Sequence, residues 1–183
     1  MSGNELRFLV SFGVALVAFA LTARWYLWPA LSTRQPRVAL SPLLLYACLR
    51  INGLMFLMPG LVSPELPEPF ARPVAYGDVT AAFLALLALL ALRHEFRVAI
   101  PAVWLFNVVG IADLLYANVS TVRDRVEPTS LGVAYYLAAV NVPAMMVVHV
   151  VIFIYLLRPS SSKRPFRPAA GSSPPVGEAE QRL

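Results

Sequence analysis

The chain has 183 residues, of which 58% are hydrophobic and 14% charged, with 15 Lys+Arg against 10 Asp+Glu and a formal charge of +5. Soluble domains run about 45–50% apolar and about 25% charged, so the composition excludes a soluble globular enzyme, a disordered chain and a disulfide scaffold. The cations flank long apolar runs, which speaks against a nucleic-acid partner and for a multi-pass protein in a lipid bilayer.

Crossing a ~30 Å hydrocarbon core takes about 20 apolar residues as a helix, and in lipid the backbone must satisfy itself. Five segments reach that length: about 8–28, 40–62, 74–92, 98–118 and 131–157. The fold class expected is therefore all-α, a five-helix transmembrane bundle over residues 1–157, followed by a polar tail over 158–183. The first segment contains Ala18-Phe19-Ala20, an A-x-A-like end that could mark signal-peptide cleavage. However, Arg7 is offset by Glu5, and Arg24, Arg34 and Arg37 follow the apolar run. Positive charge on that side resists export, so the segment is expected to stay as the first helix.

The second segment holds Arg50, Asn52 and Cys48, the one cysteine of the chain. A lone cysteine without C-x-x-C excludes a thiol oxidoreductase or a Cys-rich metal site and reads as a packing residue. Pro64, Pro67, Pro69 and Pro73 then predict a stiff turn. The third segment carries Asp78, with Ala81, Ala85 and Ala88 allowing close helix approach. In the fourth, Asn107, Gly110 and Asp113 recur at i, i+3 and i+6 and share one face. The fifth has Asn141, Met145 and His149 on one side, and Pro143 is expected to kink it and free a carbonyl near Asn141. The tail, RPSSSKRPFRPAAGSSPPVGEAEQRL, has too little apolar content to fold and is expected to be disordered, its cations favouring anionic lipid.

Placing each cation gives an orientation. Arg7, Arg72, Arg123 and Arg125 fall on one side, ten cations fall on the other, and Arg50 lies inside the apolar 58%. The positive-inside rule puts the ten in the cytoplasm, with the N-terminus outside and the C-terminus inside. Trp25, Tyr26, Trp28 and Tyr155 then suit the inner interface, and Tyr76, Tyr116, Tyr135 and Tyr136 the outer one. Fourteen of the fifteen cations are Arg, which with abundant Ala, Pro and Val points to GC-rich coding and a bacterial inner membrane.

A charged side chain at the bilayer centre costs ~2.5–3.5 kcal/mol on insertion scales, so such residues face protein or water. Arg50 is expected near mid-membrane, with Asp78 and Asp113 each about a turn inside the outer helix ends and roughly 6–9 Å shallower. An Arg50–Asp78–Asp113 network supported by Asn52, Asn107 and Asn141 leaves no charge unpaired. Such a network could fix helix pairing, contact a ligand or serve catalysis. His149 is expected to bond between helices; the other histidine, His94, lies in a loop, so no haem, metal or other cofactor is expected. The sequence Ala75-Tyr76-Gly77-Asp78 departs from the G-x-G-D of intramembrane aspartyl proteases at position 75.

The stretch Leu49–Arg93, LRINGLMFLMPGLVSPELPEPFARPVAYGDVTAAFLALLALLALR, resembles DoxX-like small membrane proteins. Those have an Arg and a Gly early in a helix, then a short proline-bearing loop and an Ala/Leu-rich helix. The whole chain, with FNVVGIADLLYA and NVPAMMVVHVVIF, is more closely similar to uncharacterised bacterial multi-pass proteins. The resemblance covers residues 40–157 and implies a compact helical bundle; it brings no mechanism. The function expected is a non-enzymatic accessory or structural membrane component, as a homo-oligomer or in a larger complex. The alternative is a small transporter or binding protein for a small or lipid-like ligand, and the third is an intramembrane enzyme.

Overall fold

A computed structural model describes residues 2–158 of the chain, so the expected tail lies outside the described residues apart from Arg158. Five helices are long and apolar enough to cross a membrane: α1 (Gly3–Leu31), α2 (Pro36–Leu57), α3 (Glu68–Arg93), α4 (Ala99–Arg123) and α5 (Ala134–Leu157). No strand forms among the described residues, only an isolated bridge between Pro59 and Val62. The helices alternate in direction, giving one end with the α1–α2 and α3–α4 loops (the basic end) and one with the α2–α3 and α4–α5 loops (the proline end).

Several helix ends differ from the sequence expectation. The proline cluster before α3 starts a helix. Pro67 is the residue before the first turn and Pro69 sits inside it, where a missing N–H is no loss. Glu68 and Arg72 pair at 2.5 Å across this turn. Helix α4 runs on to Arg123 and not to 118. It stops where Arg125 takes a positive φ of 50° and the Val126 N–H returns to the Thr121 carbonyl at 3.0 Å. Helix α3 ends the same way at Glu95, φ 57°, with Phe96 N–H on the Ala91 carbonyl at 3.0 Å. Neither stop carries the glycine that marks such ends in sequence.

Within α2 the chain tightens from an α-helix over Pro36–Ala47 to a 3₁₀-helix over Cys48–Leu57. Runs of 3₁₀ beyond three or four residues are uncommon. Three residues per turn eclipse positions i, i+3 and i+6, and the buried residues here are Arg50, Gly53 and Phe56. In α5 a π-turn over Leu137–Asn141 precedes Pro143, the second residue of the α-helical part Val142–Leu157. The local widening absorbs the missing proline N–H next to Asn141, where the sequence predicted a disturbed backbone.

Helices α2 to α5 pack about a common core, and α1 lies against α5, reaching the core with buried side chains only at Ala23 and Leu31 near its end. The core falls into two apolar clusters. Towards the basic end, Leu40, Leu44, Ala85, Ala88, Val103 and Ile152 are among the residues fully enclosed. Towards the proline end, Phe56, Phe70, Ala75, Leu131 and Ala134 form the second. Alanines at 81, 85 and 88 are 0% exposed, which brings the α3 backbone close to its neighbours.

The ends are tied by polar contacts. At the proline end Ser63 N–H donates to the Ser130 carbonyl at 3.0 Å and Val133 N–H to the Leu61 carbonyl at 2.8 Å. Gly132 adopts φ 54° there, and a Cβ on it would meet the Leu61 carbonyl. At the basic end the Arg158 guanidinium donates to the carbonyls of Ser32 and Arg34 and lies 3.7 Å over the Tyr155 ring. Tyr155 is itself 3% exposed with its hydroxyl on the Arg34 carbonyl at 2.9 Å. It therefore packs within the loop closure at the basic end.

Candidate functional site: a polar layer around Arg50

Between the two apolar clusters lies one polar layer, centred on Arg50. Its side chain is 1% exposed, yet it finds partners on three other helices. Nε donates to Asp78 Oδ1 of α3 at 2.8 Å. Nη2 donates to Asp113 Oδ2 of α4. Nη1 donates to the Gly110 carbonyl of α4 at 2.9 Å and faces His149 Nε2 of α5 at 3.4 Å. Four of the five guanidinium N–H groups are thus directed at named acceptors, the fork geometry for which Arg is suited.

His149 is held from the other side by Asn107. The Asn107 amide nitrogen donates to the His149 backbone carbonyl at 3.2 Å, which turns its Oδ1 towards His149 Nδ1 at 2.8 Å. Nδ1 therefore carries the hydrogen, and Nε2 presents its lone pair to the guanidinium, a permanent donor. Phe106 packs its ring 5.0 Å from the imidazole. Asn107 and His149 are both 0% exposed. The face formed by Asn107, Gly110 and Asp113 is the one expected from their spacing, and each member contacts the layer.

Three glycines make this closeness possible. A Cβ on Gly53 would run into the Asp78 carboxylate, and one on Gly77 into that of Asp113. A Cβ on Gly110 would strike the His149 ring and come within 3.1 Å of Arg50 Nη1. Each glycine makes room for a polar side chain from an adjacent helix. Spacing alone marks Gly110 as part of a face and gives Gly53 and Gly77 no packing role. The signal was there: each lies one or three residues from a charged member of the layer.

The depth of the layer also differs from expectation. Because α3 begins at Glu68 and α4 ends at Arg123, Asp78 and Asp113 each lie ten residues inside their helices. That is about 15 Å from the proline end by the α-helical rise. Arg50 is seven residues from Leu57, about 14 Å by the 3₁₀ rise. Asp78 packs on Gly53, which lies three residues, about 6 Å by the 3₁₀ rise, nearer the proline end than Arg50; the Arg50 backbone is therefore deeper than the aspartates, and its guanidinium spans the difference.

Two members expected in the cluster stand apart from it. Asn52 is exposed, because two residues along a 3₁₀-helix from Arg50 is a different face. Asn141 accepts a hydrogen bond from the Tyr46 hydroxyl at 2.9 Å, an α2–α5 link separate from the Arg50 network. A hollow of about 310 Å³ opens at the proline end beside Asn4, Arg7, Thr129 and Tyr135, and no member of the layer lines it. Among the described residues no group of three or more His, Cys, Asp or Glu could hold a metal ion.

Five apolar helices around a buried ion-paired layer define a multi-pass helical membrane protein. The model of a family described as "Domain of unknown function (DUF8737)" matches residues 7–157, and the chain belongs to that family. No curated protein and no solved structure matches the chain.

Proposed function

We propose that the chain is a non-enzymatic accessory or structural component of a bacterial inner membrane, N-terminus outside and C-terminus inside. Its polar layer acts as a key that sets the pairing and register of α2 to α5. The observation that carries this reading is the saturation of Arg50, enclosed at 1% exposure, bonded to α3 and α4 and facing His149 of α5 at 3.4 Å. A guanidinium so engaged has little left to offer a ligand. The orientation rests on the cations: Arg24, Arg34, Arg37, Arg93, Arg97 and Arg158 all lie at the basic end. A DoxX-like relation agrees with a small bundle and adds no activity. Association with a second copy or a larger complex, and contact of the tail with anionic lipid, belong to the same reading.

A second reading, a small transporter or binding protein for a small or lipid-like ligand, draws on the incomplete burial of Asp78 and Asp113, whose side chains are 13% and 12% exposed. Single cysteines at positions 107 and 141, probed with membrane-impermeant maleimide, separate the two. A dry keyed bundle leaves Asn107→Cys unlabelled. Rapid labelling at 107 from the outside requires an aqueous path to the layer and favours the binding protein.

A further inference from the structure

The charges of the polar layer do not cancel. Arg50 contributes +1, and Asp78 and Asp113 contribute −2 when both are ionised. His149 contributes none, since its Nδ1 hydrogen is on Asn107 Oδ1 and its Nε2 lone pair faces the guanidinium. Arg50 comes from α2, Asp78 from α3, Asp113 from α4 and His149 from α5; α1 contributes no group to the network. Of the titratable groups near this level on α2, Tyr46 donates its hydroxyl to Asn141, and Cys48 makes no side-chain hydrogen bond to the layer among the described residues. One negative charge is left without a counter-charge at mid-membrane depth, where a lone ionised carboxylate is strongly disfavoured.

The layer also has an open edge. Each carboxylate commits one oxygen to Arg50. The others, Asp78 Oδ2 and Asp113 Oδ1, accept no hydrogen bond among the described residues. They rest in the hollows left by Gly53 and Gly77, where no Cβ blocks them. Arg50, Asn107 and His149 are sealed, whereas the two aspartates retain 13% and 12% exposure.

From this geometry we infer that the Asp78–Asp113 edge is a proton-binding site, at which the pair holds one exchangeable proton that neutralises the surplus charge. The proton comes from water and returns to it, so that a carboxylate and a hydronium ion become a carboxylic acid and water, and no other bond changes. His149 is not the store, because a proton on Nε2 would point at the guanidinium. A metal cation fits less well, since Arg50 between the two carboxylates repels a second positive centre, while a proton bonded to oxygen leaves the layer neutral. The inference uses the residues of the structural reading but not its conclusion: helix keying by Arg50 stands or falls on separate variants.

The test is infrared difference spectroscopy of the full chain in lipid nanodiscs, from mildly acidic to mildly alkaline buffer, with and without ¹³C-aspartate. The chain has only three aspartates, Asp78, Asp113 and Asp124, so isotope labelling assigns a band to them without any substitution. At neutral pH the wild-type chain is expected to show a protonated-carboxyl C=O band that moves with ¹³C-aspartate and with ²H₂O. Asp78→Asn and Asp113→Asn should each abolish it, because removing either carboxylate leaves one Arg with one Asp and no surplus. Absence of an aspartate band in the wild type overturns the inference. So does a band lost in only one variant or kept in both, and so does a band that sodium or potassium removes at constant pH.

Discussion

The outermost helix and the four-helix core beside it share a composition and differ in how they are held. Of its most apolar window, α1 buries 6%, whereas α2 to α5 bury between 33% and 44%. No residue of Gly3–Thr22 is fully buried, and its contacts are side-on: the Phe8 ring meets the Tyr135 ring edge-on at 5.7 Å, and Ser11 accepts from the Tyr135 hydroxyl at 3.3 Å. In α2 to α5 one polar layer joins all four helices. Hydropathy places all five helices in lipid, but lipid is as apolar as their side chains and gives them no reason to choose partners. Partner choice in the core comes from close backbone approach and from the layer; α1 has neither.

The sharpest way to break this contrast is Arg50→Leu, which leaves Asp78 and Asp113 without their cation. Removing one partner of a buried ion pair costs about 3–5 kcal/mol. The expected outcome is a large loss of folded, monodisperse protein on size exclusion. Polar-to-apolar changes on α1, such as Ser11→Ala, should leave the yield unchanged.

Glycine substitutions sharpen the same contrast. Gly77→Ala and Gly110→Ala force a methyl into the Asp113 carboxylate and the His149 ring respectively, and overpacking of this kind costs about 1–3 kcal/mol. Gly13→Ala on α1 meets nothing within 4 Å and, as a better helix former, should be neutral or stabilising by up to about 1 kcal/mol. Thermal unfolding in one detergent, with all three variants side by side, reads the opposite signs.

Much of this arrangement was legible in the sequence. Helix count followed from apolar length, and the i, i+3, i+6 spacing of Asn107, Gly110 and Asp113 gave a correct face because α4 is regular there. What misled was local irregularity. The 3₁₀ half of α2 puts Gly53, and not Asn52, in line with Arg50, and nothing in the composition of CLRINGLMFL announces that winding. The prolines at 67, 69 and 73 read as a turn, whereas a helix tolerates Pro67 and Pro69 at its start and α3 runs on through Pro73; it therefore starts earlier and Asp78 lies deeper. Glycine beside a charge is a weak signal until a neighbouring helix supplies the side chain that fills the gap.

Smaller effects are expected where the account assigns small roles. Phe8→Ala should loosen α1 from α5 by about 0.5–1.5 kcal/mol, the value of an aromatic pair, and raise proteolysis of the first helix while the core transition stays in place. Smallest of all is Arg37→Ala, which removes a 2.6 Å ion pair with Glu95 whose side chains are 44% and 72% exposed. Its effect should stay below about 1 kcal/mol, read as a melting temperature indistinguishable from wild type at high salt.

A double-mutant cycle of Arg50→Leu and Asp113→Leu, measured by equilibrium unfolding in lipid–detergent mixtures, tests the key most directly. If the layer couples the helices, the double variant loses less stability than the two single variants added together, with a coupling of about 0.5–3 kcal/mol. Additivity within about 0.5 kcal/mol would mean that Arg50 and Asp113 act independently, and the polar layer would not be what holds α2 to α5 in register.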